Sequence, residues 1–197
     1  MVLDVRTTPD LVSVESGEPS DLALRYGDGH WRGLEKLKVA EETVFPVCSP
    51  EFLRRHPGIT LENFRALPLL LHSVISWQHW FEEAGIPAAQ PPNALVFNDV
   101  SHVIGAALIG EGIAMARALL VEDYLKDGRL VKVFDIPARG TYSYWLAWQG
   151  GSARDPLVDK LRRWLVDELS PQRRRTAPAG PAHPPRWQTG FQPAAAS

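Results

Sequence analysis

The sequence predicts an α/β protein of two lobes joined by a pair of long extended segments, and three observations lead there. The hydrophobic period switches repeatedly between about 2 and about 3.6 residues, the alternation of strands and helices expected of a sheet with parallel strands. Two long extended stretches, residues 37–47 and 142–148, bracket a middle block with strands and helices of its own. Such a pair can carry the chain from one lobe into a second and back. Polar residues stand where strands stop and helices start, the edge at which open α/β sheets gather ligands.

Taken in order, residues 2–6 form a short strand, followed by a loop over 7–10 and a helical turn. Residues 21–25 are a second strand, stopped by the Gly-rich turn Tyr26-Gly27-Asp28-Gly29. After the extended stretch 37–47, Ser49-Pro50-Glu51 opens a helix with proline at its first position, where the missing N–H costs nothing. Residues 60–63 open another. The apolar run 67–71 is a buried strand. A helix beginning at Ser76 puts Trp77, Trp80, Phe81 and Ala84 on one face before Gly85.

Residues 95–97 are a strand, and Asn98 or Asp99 caps the next helix, on which Val100, Val103, Ile104, Ala107 and Leu108 form a buried stripe. Gly110 and Gly112 end it. A strand over 113–115, a helix over 118–126, a strand over 130–134 and the strand 142–148 follow. Pro156 starts the last helix, with Leu157, Leu161, Trp164 and Leu165 inward.

Composition narrows the function. The chain has 197 residues, 45% hydrophobic and 22% charged, the balance of a globular protein. No apolar run approaches the roughly 20 residues that cross a bilayer, and the first ten residues have no leader pattern, so a cytoplasmic protein is expected. The net charge of −2 hides a split. Four of the 21 Lys and Arg and none of the 23 Asp and Glu fall in the last 27 residues, leaving residues 1–170 at −6. A body of that charge repels a phosphate backbone. The Pro- and Ala-rich stretch 170–197 is expected to be disordered, with Arg173, Arg174 and Arg175 a solvated basic run.

Catalytic signatures are absent. There is no Gly-x-Ser-x-Gly, no P-loop and no Gly-x-Gly-x-x-Gly. The lone Cys48 reads as a small buried thiol rather than a nucleophile paired with His72 or His79. Histidines 72, 79 and 102 with Asp99 lack metal-ligand spacing. Trp77 and Trp80 read as core. No enzyme, cofactor or metal is therefore expected.

Binding is the better reading. Thr7 and Thr8 follow the first strand, His72 and Ser73 follow another, and Asn98, Asp99 and Ser101 sit between a third strand and its helix. Helix capping explains each of these residues singly, and the layout suggests a cleft.

Asp21-Leu-Ala-Leu-Arg-Tyr-Gly27 followed by Gly29-His-Trp-Arg-Gly-Leu34, then Phe45-Pro-Val-Cys-Ser-Pro50, resembles the effector-binding domain of LysR-type transcriptional regulators, most of all the glycine-cleavage-activator subgroup. Leu70-Leu-His72 with Trp77 and Trp80, Phe97-Asn-Asp99, Ala106-Ala107, Gly110-Glu-Gly-Ile-Ala114 and Gly128-Arg-Leu-Val131 extend the likeness in order over residues 1–169.

The resemblance implies a periplasmic-binding-protein-like fold of the second type. Lobe one is residues 1–46 with 143–169, and lobe two is residues 47–142. It implies a small effector, an amino acid or small organic acid, held between the lobes by Thr7, Thr8, Tyr26, His72, Ser73, Asn98, Asp99 and Ser101. In the intact regulator it also implies a homodimer or tetramer, with DNA bound only by a separate winged helix-turn-helix. Family members carry that domain, a linker helix and a first strand and helix of lobe one ahead of the residue matching Met1. An incomplete lobe one with exposed strand edges is therefore expected. A stand-alone solute-binding protein of the same fold, a truncated product with no independent role and a small enzyme using Cys48 or a histidine are the alternatives.

Overall fold

The structure is a computed structural model and describes residues 4–5, 22–73, 75–87, 91–149 and 156–169. Its elements run β1 (Ala23–Gly27), β2 (Leu34–Cys48), α1 (Pro50–Arg55), a single 3-10 turn (Phe64–Ala66), β3 (Leu69–His72), α2 (Gln78–Glu83), β4 (Ala94–Phe97), α3 (Val100–Leu108), β5 (Ile113–Arg117), α4 (Ala118–Lys126), β6 (Val131–Lys132), β7 (Ala138–Gln149) and α5 (Pro156–Leu169).

The strands among the described residues belong to one sheet, ordered β1-β7-β2-β5-β3-β4, with β6 added beside β2. The sheet is mixed: the parallel strands expected from the sequence are present, with antiparallel pairs beside them. β3 is parallel to β4 and β5, whereas β7 runs antiparallel to β1 and β2, and β2 antiparallel to β5. The two long strands are the reason: a chain that leaves one half along β2 and returns along β7 must lay them side by side in opposite directions.

β2 spans 15 residues and changes character midway. Its first half, with Glu35, Lys36 and Lys38, faces water, and Val44–Cys48 is buried throughout. The change falls where the pairing with β7 slips, between Lys38 and Ala40 and again between Glu41 and Thr43. Opposite this bulge stands Gly140. A Cβ there would meet the Glu42 Cβ at 2.9 Å and the Glu42 carbonyl oxygen at 3.2 Å, so the two backbones approach as only glycine allows.

Alternation along the strands builds a three-layer core. Val44 and Cys48 of β2, Leu69 of β3 and Ile113 and Met115 of β5 face Phe52 of α1, Phe64, and Trp80 and Phe81 of α2. Phe45 and Val47, Leu70, Ala114 and Ala116 face Val103, Ile104 and Ala107 of α3 and Val121 of α4. The first layer is aromatic: Phe64 lies 5.7 Å from Trp80 edge to face, and the Trp80 indole N–H donates to the Ile136 carbonyl at 2.8 Å. Trp77 and Trp80 are core residues, as their spacing implied.

Caps fall where the sequence placed them. The Ser49 hydroxyl accepts from the Phe52 N–H at the start of α1, and the Asp99 carboxylate accepts from the Ser101 N–H at the start of α3. Other expectations need correction. Residues 60–63 open no α-helix. Thr60 Oγ1 takes the Glu62 and Asn63 N–H groups, and Pro68 forces Leu67 into extended conformation, which leaves room for the 3-10 turn alone.

The second strand begins at Ala23 and includes Tyr26, paired with Tyr144, so the turn starts beyond it, at Asp28. Only residues 131 and 132 of the expected strand 130–134 pair, because Phe134 turns inward to pack 5.3 Å from Phe64. On α5 the buried residue is Val158, while Leu157 and Trp164 are 56% and 53% exposed. Arg162, stacked 5.1 Å from the Trp148 ring, rotates that helix by taking a contact position the pattern had given to apolar residues. Of residues 2–6 only Asp4 and Val5 are described. They lie in no strand, for no described strand pairs there.

Candidate functional site

Because β3, β4 and β5 are parallel, their carboxyl ends lie along one edge of the sheet. His72 ends β3, Asn98 and Asp99 follow β4, and Arg117 ends β5. Tyr26, near the end of β1, reaches the same edge: the Arg117 guanidinium carbon sits 4.2 Å over its ring and 5.7 Å over that of Tyr144. Tyr26 packs edge-on against Tyr142 at 5.6 Å and tilted against Tyr144 at 5.0 Å. β2 brings Glu42 beneath this group from its bulge.

The electrostatics tie these residues into one neighbourhood. Burial raises the Tyr26 and Tyr144 hydroxyls above their ordinary range, with Arg117 opposing. Burial also raises the Glu42 carboxyl, offset in part by Tyr144, the Thr43 N–H and Arg117. His72 is lowered, first by burial and then by the Arg117 charge, with Asp99 opposing. Arg117 is thus felt by residues from β1, β2, β3 and β7.

Of the residues expected to line the cleft, Tyr26, His72, Asn98 and Asp99 share this neighbourhood. Ser73 is exposed and its N–H donates to the Phe97 carbonyl at 2.8 Å. Asp99 is held below its usual range, chiefly by the Ser101 hydroxyl and then by the Ser101 N–H. The Ser101 hydroxyl hydrogen is therefore engaged, leaving its lone pairs to accept. His72 Nδ1 lies 3.3 Å from the Ile75 N–H, which donates to it. Thr7 and Thr8 lie outside the described residues.

Sequence reasoning missed Arg117, Glu42, Tyr142 and Tyr144. The rule that pointed to His72 and Asn98, polar residues at strand-to-helix junctions, also fits Arg117. Alternation along the last strand puts Tyr142 and Tyr144 on one face with Tyr26 across from them. Glu42 carries no such signal, being one of two adjacent acids whose burial depends on the bulge. Cys48 is fully buried, and burial pushes its thiol up to about 12, which leaves no thiolate at neutral pH.

The LysR substrate binding domain model matches residues 1–170. The chain belongs to the LysR substrate-binding domain family. Its curated LysR relatives include the HTH-type transcriptional activator AmpR of Rhodobacter capsulatus, 29% identical over 77% of this chain and 51% of that protein. Another is the glycine cleavage system transcriptional activator of Escherichia coli K12, 26% identical over 79% of this chain and 52% of that protein. The chain spans about half the length of these LysR relatives.

Among solved LysR structures, the effector domain of AmpR of Pseudomonas aeruginosa superposes with a TM-score of 0.73 at 26% identity, covering 87% of this chain and 83% of that one. The AmpR effector binding domain from Citrobacter freundii gives 0.67 at 26% identity, over 76% and 74% of the two chains. The architecture is the LysR effector-domain form of the periplasmic-binding-protein-like fold, type 2.

Proposed function

We propose that this chain senses a small effector, an amino acid or small organic acid, in a cleft between lobe one (residues 1–46 with 143–169) and lobe two (residues 47–142), and does no chemistry. The observation that carries the reading is the gathering of Tyr26, Tyr144, Arg117, His72 and Asn98 at the carboxyl edge of the parallel strands, beside the bulge in the β2–β7 pairing. The LysR relatives, which are transcriptional regulators, support it. A cytoplasmic location, a homodimer or tetramer and control of DNA binding through a separate domain complete the proposal. An effector that binds one lobe arrangement better than another shifts the regulator by that difference in affinity.

The test is thermal unfolding of the chain against a panel of small acids and amino acids. Binding to the native state alone raises stability by about 2.7 kcal/mol at a hundredfold excess over Kd. At least one compound is expected to raise the midpoint of the native chain and to lose that effect in Tyr26→Ala. A rise that survives in Tyr26→Ala would place the ligand elsewhere.

A further inference from the structure

Arg117, a guanidinium side chain, is only 8% exposed. It belongs to no ion pair among the described residues, and its Nε has no hydrogen-bond acceptor. Beside it the hydroxyl of Tyr144, a residue 5% exposed, and the carboxyl of Glu42, a residue 2% exposed, interact with each other and so do not serve the Arg117 Nε. Buried polar groups ordinarily have partners, and a buried cation without one is the costliest exception. The Arg117 Nε–H is thus a buried, charged donor with no acceptor of its own.

The sign of the site follows from what surrounds it. Glu42, on β2, is the acid nearest at hand. Its Oε1 accepts the Thr43 N–H at 2.9 Å, and burial favours its neutral form. Asp99 is committed to capping α3. His72 is held toward neutrality. Burial holds the Tyr26 and Tyr144 hydroxyls in their neutral form. Arg117 is also the N-cap residue of the nine-residue α4, whose positive end lies at the same point, with the Glu42 carboxyl accepting from the Leu119 N–H of its first turn. The guanidinium sits over the rings of Tyr26 and Tyr144 in cation–π contact, and guanidinium N–H groups suit a planar anion.

We propose that Arg117 binds a negatively charged group of the effector, in the simplest case a carboxylate, making it the residue that selects ligands by charge. The assignment rests on the effector-cleft reading above and adds the residue that recognises the acid group. A carboxylate presented to the guanidinium forms charge-assisted hydrogen bonds of the kind the fold leaves unmade.

The experiment uses the full chain labelled with nitrogen-15, following the side-chain Nε–H resonance of Arg117, assigned by its disappearance in Arg117→Lys. Acetate is titrated as the smallest carboxylate, and acetamide as its neutral match. Acetate is expected to move the resonance along a saturating curve and acetamide to leave it in place. Equal responses to both, or none to either, would overturn the assignment. That titration needs no variant to bind, and melts of Arg117→Lys show that the assignment variant is folded.

The two readings fail separately. A neutral sugar or nucleobase that raises the melting midpoint through Tyr26, while acetate leaves Arg117 unmoved, would keep the cleft and overturn the charge assignment. Acetate saturating Arg117, while no larger acid or amino acid of the panel raises the midpoint further than acetate does, would support the charge assignment and remove effector sensing.

Discussion

Glu42 shows at the scale of one residue how placement sets charge. Burial raises its carboxyl above the ordinary range, so the folded chain holds the proton more tightly than the unfolded chain does. Its contribution to stability is complete below the unfolded carboxylate range and declines as pH rises through that range toward the raised value. Glu42→Gln removes the titration. In melts from about pH 4 to about pH 7, the variant's Tm relative to the native chain is expected to climb with pH, and a difference that stays flat would show Glu42 ionised at no cost. Trp80 is the opposite case, fully buried among rings with its N–H satisfied. Trp80→Ala is expected to cost about 3–5 kcal/mol in denaturant unfolding.

At the scale of elements, legibility followed the rules that act locally. Ser49 and Asp99 were readable as caps because a cap is a contact between neighbours in sequence. Ser49→Ala is expected to cost about 1 kcal/mol in the same unfolding experiment. The stripe on α3 was readable because both its faces obey one period. Failures occurred where a distant contact overruled the pattern. Phe134 left its expected strand for Phe64, and Arg162 took a contact position on α5 by stacking on Trp148. The exposure of Trp164 that results makes a sharp test: Trp164→Gln is expected to change stability by no more than about 0.5 kcal/mol, where the buried position predicted from the sequence would cost several.

At the scale of the whole molecule, the two long strands and the order of the middle block were visible in the sequence as extended stretches flanking a helical and strand-forming insert. Their mutual direction was not visible, because pairing between residues about 100 positions apart leaves no local trace. Half of the candidate site was legible for the same reason. His72, Asn98 and Asp99 sit at junctions that the sequence marks, whereas Glu42 and Tyr144 meet Arg117 only through the bulged pairing of β2 with β7. That pairing is tight at Gly140. Gly140→Val must push β2 and β7 apart, and it is expected to lower the midpoint and weaken the ligand-induced rise together. A variant that loses stability but keeps the full rise would separate the pairing from the response.

The aromatic residues give the molecule its own optical reporters. Trp77 and Trp80 are sealed in the aromatic layer beside β3 and β5, while Trp31 and Trp145 pack edge to face at 6.3 Å beside β1 and β7, with the Trp145 N–H on the Gly27 carbonyl, one residue from Tyr26. The first pair sits in an apolar, rigid setting that favours emission at shorter wavelength and shields it from aqueous quenchers. The second pair lies near the ring that stacks on Arg117. Ultraviolet emission can therefore follow unfolding through one set of indoles and occupancy through the other, with no dye attached.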